Sequence, residues 1–128
     1  MKEYSKNDIR NVVLLGATKS GKTTLSEAML FEGKVIDRRG TVEDKNTVSD
    51  NNELEKLNQR SIYATPLYAE FMNKKINIID APGSDDFIGG AISAFKVCDN
   101  GILVVNAQQG VEVGTRGLLR HADKYNIP

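Results

Sequence analysis

Eight consecutive residues near the amino terminus, Gly16-Ala17-Thr18-Lys19-Ser20-Gly21-Lys22-Thr23, carry the clearest chemistry in the chain. They fit the spacing G-x-x-x-x-G-K-[ST]. Gly16 and Gly21 let the backbone wrap close to a polyphosphate, where successive N–H groups and a helix amino terminus face the anion. Lys22 brings a mobile point charge to the β- and γ-phosphates, and Thr23 brings a hydroxyl to Mg²⁺. The bland alternative is a glycine-rich turn with a solvated lysine, which the strand before and the helix after make the weaker reading. A second cluster is Asp80-Ala81-Pro82-Gly83. An acidic residue at the carboxyl end of a strand can hold Mg²⁺ through water, and Gly83 lets the backbone approach a terminal phosphate and pivot. Alone, D-x-P-G is more often a turn; behind a phosphate loop at this distance it becomes the second half of a phosphate switch.

The elements that must position these residues can be read from patterning. Asp8–Leu15 ends in four consecutive apolar residues, Val12 to Leu15, as a strand buried on both faces does. Residues 22–32 read as a helix with Leu25, Ala28 and Met29 at helical spacing, closed by Gly33. Residues 34–60 are polar and without period, apart from Glu53–Asn58, which can make a helical turn. A loop this long inside a compact domain is either functional or disordered, and the sequence leaves both open. Residues 62–72 are extended, and Pro66 places them at a sheet edge. A turn at Asn73-Lys74-Lys75 leads into the strand Ile76–Ile79, so the two pair as an antiparallel hairpin. Residues 80–86 form a loop. The next helix carries Phe87, Ala91, Phe95 and Cys98 (or Ala94) on one face. A buried strand within Gly101–Asn106 comes next, then a helix through Val111, Thr115, Leu118, Ala122 and Tyr125. The order β-α-loop-β-β-α-β-α predicts an α/β P-loop nucleoside-triphosphatase sandwich in three layers. Its sheet is mostly parallel, with one antiparallel edge hairpin.

Composition excludes several classes. The chain has 128 residues, with 17 Lys+Arg against 17 Asp+Glu, 40% hydrophobic and 27% charged. That is one ordinary globular domain, not a disordered tail. No apolar run approaches a membrane span, and a zero net charge argues against independent DNA binding. The single cysteine, Cys98, fits a reducing compartment and reads as core. His121, between Arg120 and Ala122, reads as a surface residue.

GATKSGKTTLSEAML, KINIIDAPGSDDF and NGILVVNAQQGVEVGTRGLLRHADKYNIP resemble the GTP-binding domain of elongation factor G, from about Asn11 to the end. The resemblance implies a GTPase that cycles between GTP and GDP with Mg²⁺. Gly16, Ala17, Thr18, Lys19, Ser20, Gly21, Lys22, Thr23 and Thr24, with Asp80, Ala81, Pro82, Gly83 and Ser84, would contact the nucleotide. Thr23, Ser61 and, through water, Asp80 would hold the metal. The phosphate loop is then residues 16–23, the first switch about 34–61 and the second about 80–90. A monomeric cytoplasmic factor working on the ribosome in tRNA and mRNA translocation is expected. Ribosomal protection or peptide release are alternatives, as is a nucleotide-binding docking module without catalysis. A generic ATPase or kinase fits less well, because of the hairpin leading into Asp80-Ala81-Pro82-Gly83.

The departures from the family cluster at one place. Ser84 stands where the family has the histidine that orients the attacking water, and a short hydroxyl lacks an imidazole's reach and charge. Thr18 and Arg60 replace two apolar gate residues, Lys19 replaces an aspartate, and Asn58-Gln59-Arg60-Ser61 replaces the usual run ending in the switch threonine. Lys22, the remaining catalytic candidate, is retained with Thr23 and Asp80. Weakened or altered hydrolysis is therefore expected; Arg60 reads as a solvated switch-loop arginine or as a substitute for transition-state charge. The guanine-reading Asn-Lys-x-Asp motif would lie beyond Pro128, so the chain reads as the amino-terminal part of a longer factor.

Overall fold

Val12, Val13, Leu14 and Leu15 are all buried, and they end the central strand of the sheet. In the computed structural model, which describes residues 3–128, this strand is β1 (Ile9–Leu15). It is followed by α1 (Lys22–Glu32), α2 (Glu53–Asn58), β2 (Thr65–Phe71), β3 (Lys74–Asp80), α3 (Ile88–Phe95), β4 (Asn100–Leu103) and α4 (Val113–Lys124). The strands lie in the order β2-β3-β1-β4. β1 is parallel to both neighbours, and β2 alone is antiparallel, against β3. Alternate residues of β1 feed two cores. Val13 and Leu15 pack with Ala91, Ala94, Phe95, Leu118 and Ala122 from α3 and α4. Val12 and Leu14 pack with Ile78 and Ala69, against Leu25 and Met29 of α1. The result is the expected three-layer α/β sandwich with its antiparallel edge hairpin.

Boundaries differ from the sequence reading for local reasons. The hairpin turn is Met72-Asn73, both at positive φ (47° and 60°), as a two-residue connection between twisted strands requires. Lys74 and Lys75 therefore belong to β3, not to the turn. β2 begins at Thr65 rather than residue 62, because Ile62 and Tyr63 donate their N–H groups to the Glu55 carboxylate (2.9 and 3.0 Å) instead of to a ladder. β4 ends at Leu103, and Val104 makes one last bond, its N–H to the Leu15 carbonyl (2.7 Å). There β1 itself turns away at Gly16, so Val104 and Val105 have no strand to pair with. Ile102 and Val105 are exposed, so this strand is not buried on both faces. α4 starts at Val113, leaving Val111 outside it. His121 is half-buried and Cys98 packs beside the α3–α4 core.

The largest departure concerns residues 34–60. They form no regular element except α2, yet they are tied down. The buried Glu27 carboxylate of α1 accepts the N–H groups of Gly40 (2.8 Å) and Val48 (2.6 Å). Buried Glu55 closes a capping box at Asn52 and also holds Ile62 and Tyr63. Within the loop, Thr47, Ser49 and Asp50 are themselves buried. Of the two readings left open by the sequence, the structure favours an organised loop. Glu27→Ala is expected to free this loop, since two N–H groups lose an ionised acceptor worth about 1–3 kcal/mol each. Limited proteolysis should then cut within residues 34–52 roughly tenfold faster or more; an unchanged rate would show that Glu27 is not the anchor.

Candidate functional site

The carboxyl ends of β1 and β3 open side by side, since Leu14 is in register with Asp80. The loops leaving these two strands meet in one cleft of about 310 Å³. From β1 the chain enters the turn 16–21. Gly16 takes φ 142°, and a Cβ there would overlap the Val104 carbonyl oxygen. Lys19 and Gly21 also stand at positive φ (63° and 103°), and Gly21 caps α1. The turn thus curls its backbone back toward the helix amino terminus, where unpaired N–H groups gather.

Lys22 is the first residue of α1 and is buried, 5% exposed. A buried cation at the positive end of a helix is unfavourable for folding. Its Nζ arches back and donates to the carbonyls of Gly16 (3.0 Å) and Ala17 (2.9 Å). Burial lowers its pKa, and the charges of Asp80 and Asp50 only partly oppose this. Gly83 lies directly on this arch. A Cβ there would sit 2.5 Å from Lys22 Nζ and 2.6 Å from Thr18 N, so only glycine fits.

Asp80, at the end of β3, is fully buried and collects hydroxyls. Its Oδ2 accepts from Ser49 (2.7 Å), Thr23 (2.9 Å) and Ser26 (3.4 Å). Its Oδ1 is buried with no hydrogen-bond partner. Ser61 Oγ stands 3.2 Å from Thr23 Oγ1 and donates to Asp50 Oδ1 (2.7 Å). Burial raises the pKa of both Asp80 and Asp50, hydroxyl bonds pulling the other way. The buried Asp80 carboxylate with its orphaned oxygen, the Asp50 carboxylate in the cleft lining and two hydroxyls make a donor set that would suit a hard cation. Among the described residues no cluster of three or more His, Cys, Asp or Glu side chains could hold a metal unaided. Mg²⁺ is held by one or two carboxylates and completes its shell with water and phosphate, so the Asp80 and Asp50 carboxylates with the Thr23 and Ser61 hydroxyls are the residues that would hold it.

The candidates separate in space. Thr18, Lys19, Gly21, Lys22, Thr23, Thr24, Ser61 and Gly83 line the cleft, together with Arg60. Ala17 is buried in the turn, and Ser20 Oγ is buried without a partner. Ala81 faces the α3–α4 core and Pro82 packs near Gly90, so both offer backbone only. Ser84 donates to Asp86 Oδ2 (3.4 Å), beside the cleft rather than into it. Sequence reading missed Ser26, Glu27, Ser49, Asp50 and Glu55. Ser49, Asp50 and Glu55 are isolated polar residues in a polar stretch, and Ser26 and Glu27 sit off the apolar spacing of a helix, so neither setting signals burial.

A family model described as the elongation factor Tu GTP binding domain matches residues 7–128. The chain is 36% identical over 120 residues to an elongation factor G-like protein of Mycobacterium tuberculosis, covering 94% of this chain and 17% of that protein. It is 35% identical over 120 residues to the tetracycline resistance protein TetM from transposon Tn1545 of Enterococcus faecalis, covering 94% and 19%. Among solved structures it superposes on a protein from Thermus thermophilus with a TM-score of 0.91 at 35% identity, covering 94% of this chain and 18% of that one. A bacterial selenocysteine-specific elongation factor gives 0.72 at 28%, covering 92% and 18%. The chain thus spans less than a fifth of the length of these relatives. No helix among the described residues is long and apolar enough to cross a membrane.

Proposed function

Because this chain belongs to the elongation factor Tu family of GTP-binding domains, and so to the translational GTPases, we propose that it is the guanine-nucleotide switch of an elongation factor that works on the ribosome in translocation. One observation carries the reading. The 34–61 segment is fastened to the phosphate loop through Ser49 and Ser61, which reach the same Asp80–Thr23 pair that closes β3 and opens α1. A loop anchored where phosphate and cation gather changes its order with the terminal phosphate. In this reading residues 34–61 are the first switch and residues 80–90 the second.

The roles divide by chemistry. Backbone N–H groups from Gly16 to Thr24 cradle the phosphates, and Lys22 neutralises their charge from within its arch. Thr23, Ser61 and, through water, Asp80 would hold Mg²⁺, with Asp50 orienting Ser61. The ion, when bound, supplies Lewis-acid neutralisation of phosphate oxygens. Gly83 presents its backbone to the terminal phosphate. Ser84 stands where the resemblance places the water-orienting histidine, and its hydroxyl is spent on Asp86. Hydrolysis weaker than in histidine-bearing relatives, or altered in chemistry, follows from that exchange. A monomeric cytoplasmic factor is the form that suits this work.

Protection of the ribosome is the second reading, favoured by the nearly equal identity to the tetracycline resistance protein. Both readings require guanine nucleotide. With the full-length protein, unlabelled GTP is expected to displace labelled GDP, while ATP at about a hundredfold excess does not. Equal displacement by ATP would refute the proposal. Stimulation of GTP turnover by ribosomes in the same preparation then separates a switch from a docking module.

A further inference from the structure

Arg60 is exposed at the mouth of the cleft that also holds Lys22, Thr23, Ser61 and Gly83. Three features fix it there. Its backbone N–H donates to the Glu55 carbonyl (3.2 Å), just past Gln59, which ends α2 in the left-handed conformation (φ 48°). The next residue, Ser61, is held by Asp50 and lies against Thr23. Its guanidinium stacks over the ring of Phe87, 5.7 Å from the centroid, in the short turn after Gly83 and Ser84. No carboxylate neutralises it: among the described residues the one ion pair is Lys74–Asp8, far from this cleft in the sheet's opposite end. The guanidinium is therefore a charge held in place by backbone, metal-site neighbour and aromatic face; Glu43 and Asp50 line the same cleft, but neither forms an ion pair with it.

Resting on the nucleotide-switch reading above, we propose that Arg60 is a transition-state cation supplied by this chain to its own hydrolysis, with Phe87 as the positioning residue beneath it. In the reaction a water oxygen forms a bond to the γ-phosphorus as the bond to the β–γ bridging oxygen breaks. The electron pair of that bond stays on the β-phosphate of GDP, and a water proton passes to the released phosphate. Negative charge is spread over the equatorial oxygens of the transferring phosphoryl group, and a planar cation at the cleft mouth stabilises it more than it stabilises bound GTP. This places charge stabilisation where the chain lacks an imidazole at residue 84. The platform matters because a guanidinium stacked on a ring loses little freedom when it reaches an anion.

The test is single-turnover GTP hydrolysis by the full-length protein, with GDP affinity measured alongside. Arg60→Leu keeps an apolar contact with Phe87 and removes the charge. It is expected to slow hydrolysis by about 30-fold, less than an enclosed arginine would, because solvent screens the open mouth. GDP affinity should stay within about threefold, since the charge serves the terminal phosphoryl group. Arg60→Lys keeps a charge without the planar fork and should lose less, about fivefold. Phe87→Leu should slow the parent protein but add nothing in the Arg60→Leu background, the signature of a residue acting through another. An Arg60→Leu protein that binds GTP and hydrolyses it at the parent rate overturns the assignment and leaves the nucleotide reading intact. A parent protein that binds no guanine nucleotide overturns both.

Discussion

Lys22→Met is expected to raise the dissociation constants for GTP and GDP by about 10²–10³-fold, through loss of a buried charge facing phosphate. Methionine keeps an unbranched chain of similar length, so the substitution removes the charge and little of the packing. The parent lysine breaks local rules: it is a cation at the positive end of α1, nearly excluded from solvent, with burial lowering its pKa. Its bonds to the Gly16 and Ala17 carbonyls satisfy it without making it favourable there. A residue that costs the fold something and sits against Gly83 is placed for a ligand. The ligand-free variant should therefore be no less stable than the parent, because a depressed lysine pKa means the folded state disfavours the charge at neutral pH. That contribution fades in the parent as pH rises through the lowered pKa. Isothermal titration with GDP and a thermal melt without it check both halves; unchanged affinity would remove Lys22 from the site.

The phosphate turn, β1, the edge hairpin and the Asp80–Gly83 loop were legible because each is written in adjacent residues. Four apolar residues in a row, a proline in an edge strand and glycines at fixed spacing act over a few positions of chain. The loop from 34 to 60 was not legible, since its order comes from single carboxylates reaching far along the sequence. Glu27 binds Gly40 and Val48, 13 and 21 residues away. Nothing about a glutamate inside a helical pattern announces that its side chain turns inward. The same gap hid the character of α1. Leu25 and Met29 do pack on the sheet, but the helix's most buried side is Lys22, Thr23, Ser26, Glu27 and Leu30. A polar face turned inward is the mark of a site, and periodicity of apolar residues points elsewhere. The metal-binding candidates Thr23, Asp80 and Ser61 do converge, but Asp50 and Ser49 complete the cluster and came from the unreadable stretch.

The convergence has a mechanical consequence. Ser49, Ser61 and Thr65 tie three points of one chain segment to Asp80, Thr23 and each other, so the loop has a small number of anchors rather than a packed apolar core. The Ser61–Asp50 bond lies in the lining of the cleft, whereas the Glu27 and Glu55 anchors lie outside it. On the proposed switch reading, the 34–61 segment would release its inner end at the cleft while its outer part stays attached. That is the property a ligand-sensing loop needs.

Asp80→Asn is expected to separate binding from stability. The carboxyl of Asp80 is held above its ordinary value of 3.8 by burial, against the pull of the Ser49 and Thr23 hydroxyls and the Lys22 charge. A raised pKa means the folded protein holds this proton more tightly than the unfolded chain does. Stability from this group is therefore present at low pH and lost as pH rises from 3.8 through the folded-state value. At neutral pH the ligand-free fold carries the full cost of a dry carboxylate whose Oδ1 has no partner. Asparagine can offer its carbonyl oxygen to the same three hydroxyls and puts a neutral amide where Oδ1 stood. Without ligand, the variant should melt no lower than the parent at pH 7, and any gain should shrink as the pH is taken down toward 3.8. With Mg²⁺, GDP affinity should fall by about 100-fold, the upper end of what loss of a water-mediated metal contact costs. Thermal melts across pH, with and without Mg²⁺ and GDP, read both effects in one series. A variant that melts well below the parent at pH 7 without ligand would mean that Asp80 holds the fold rather than the ion.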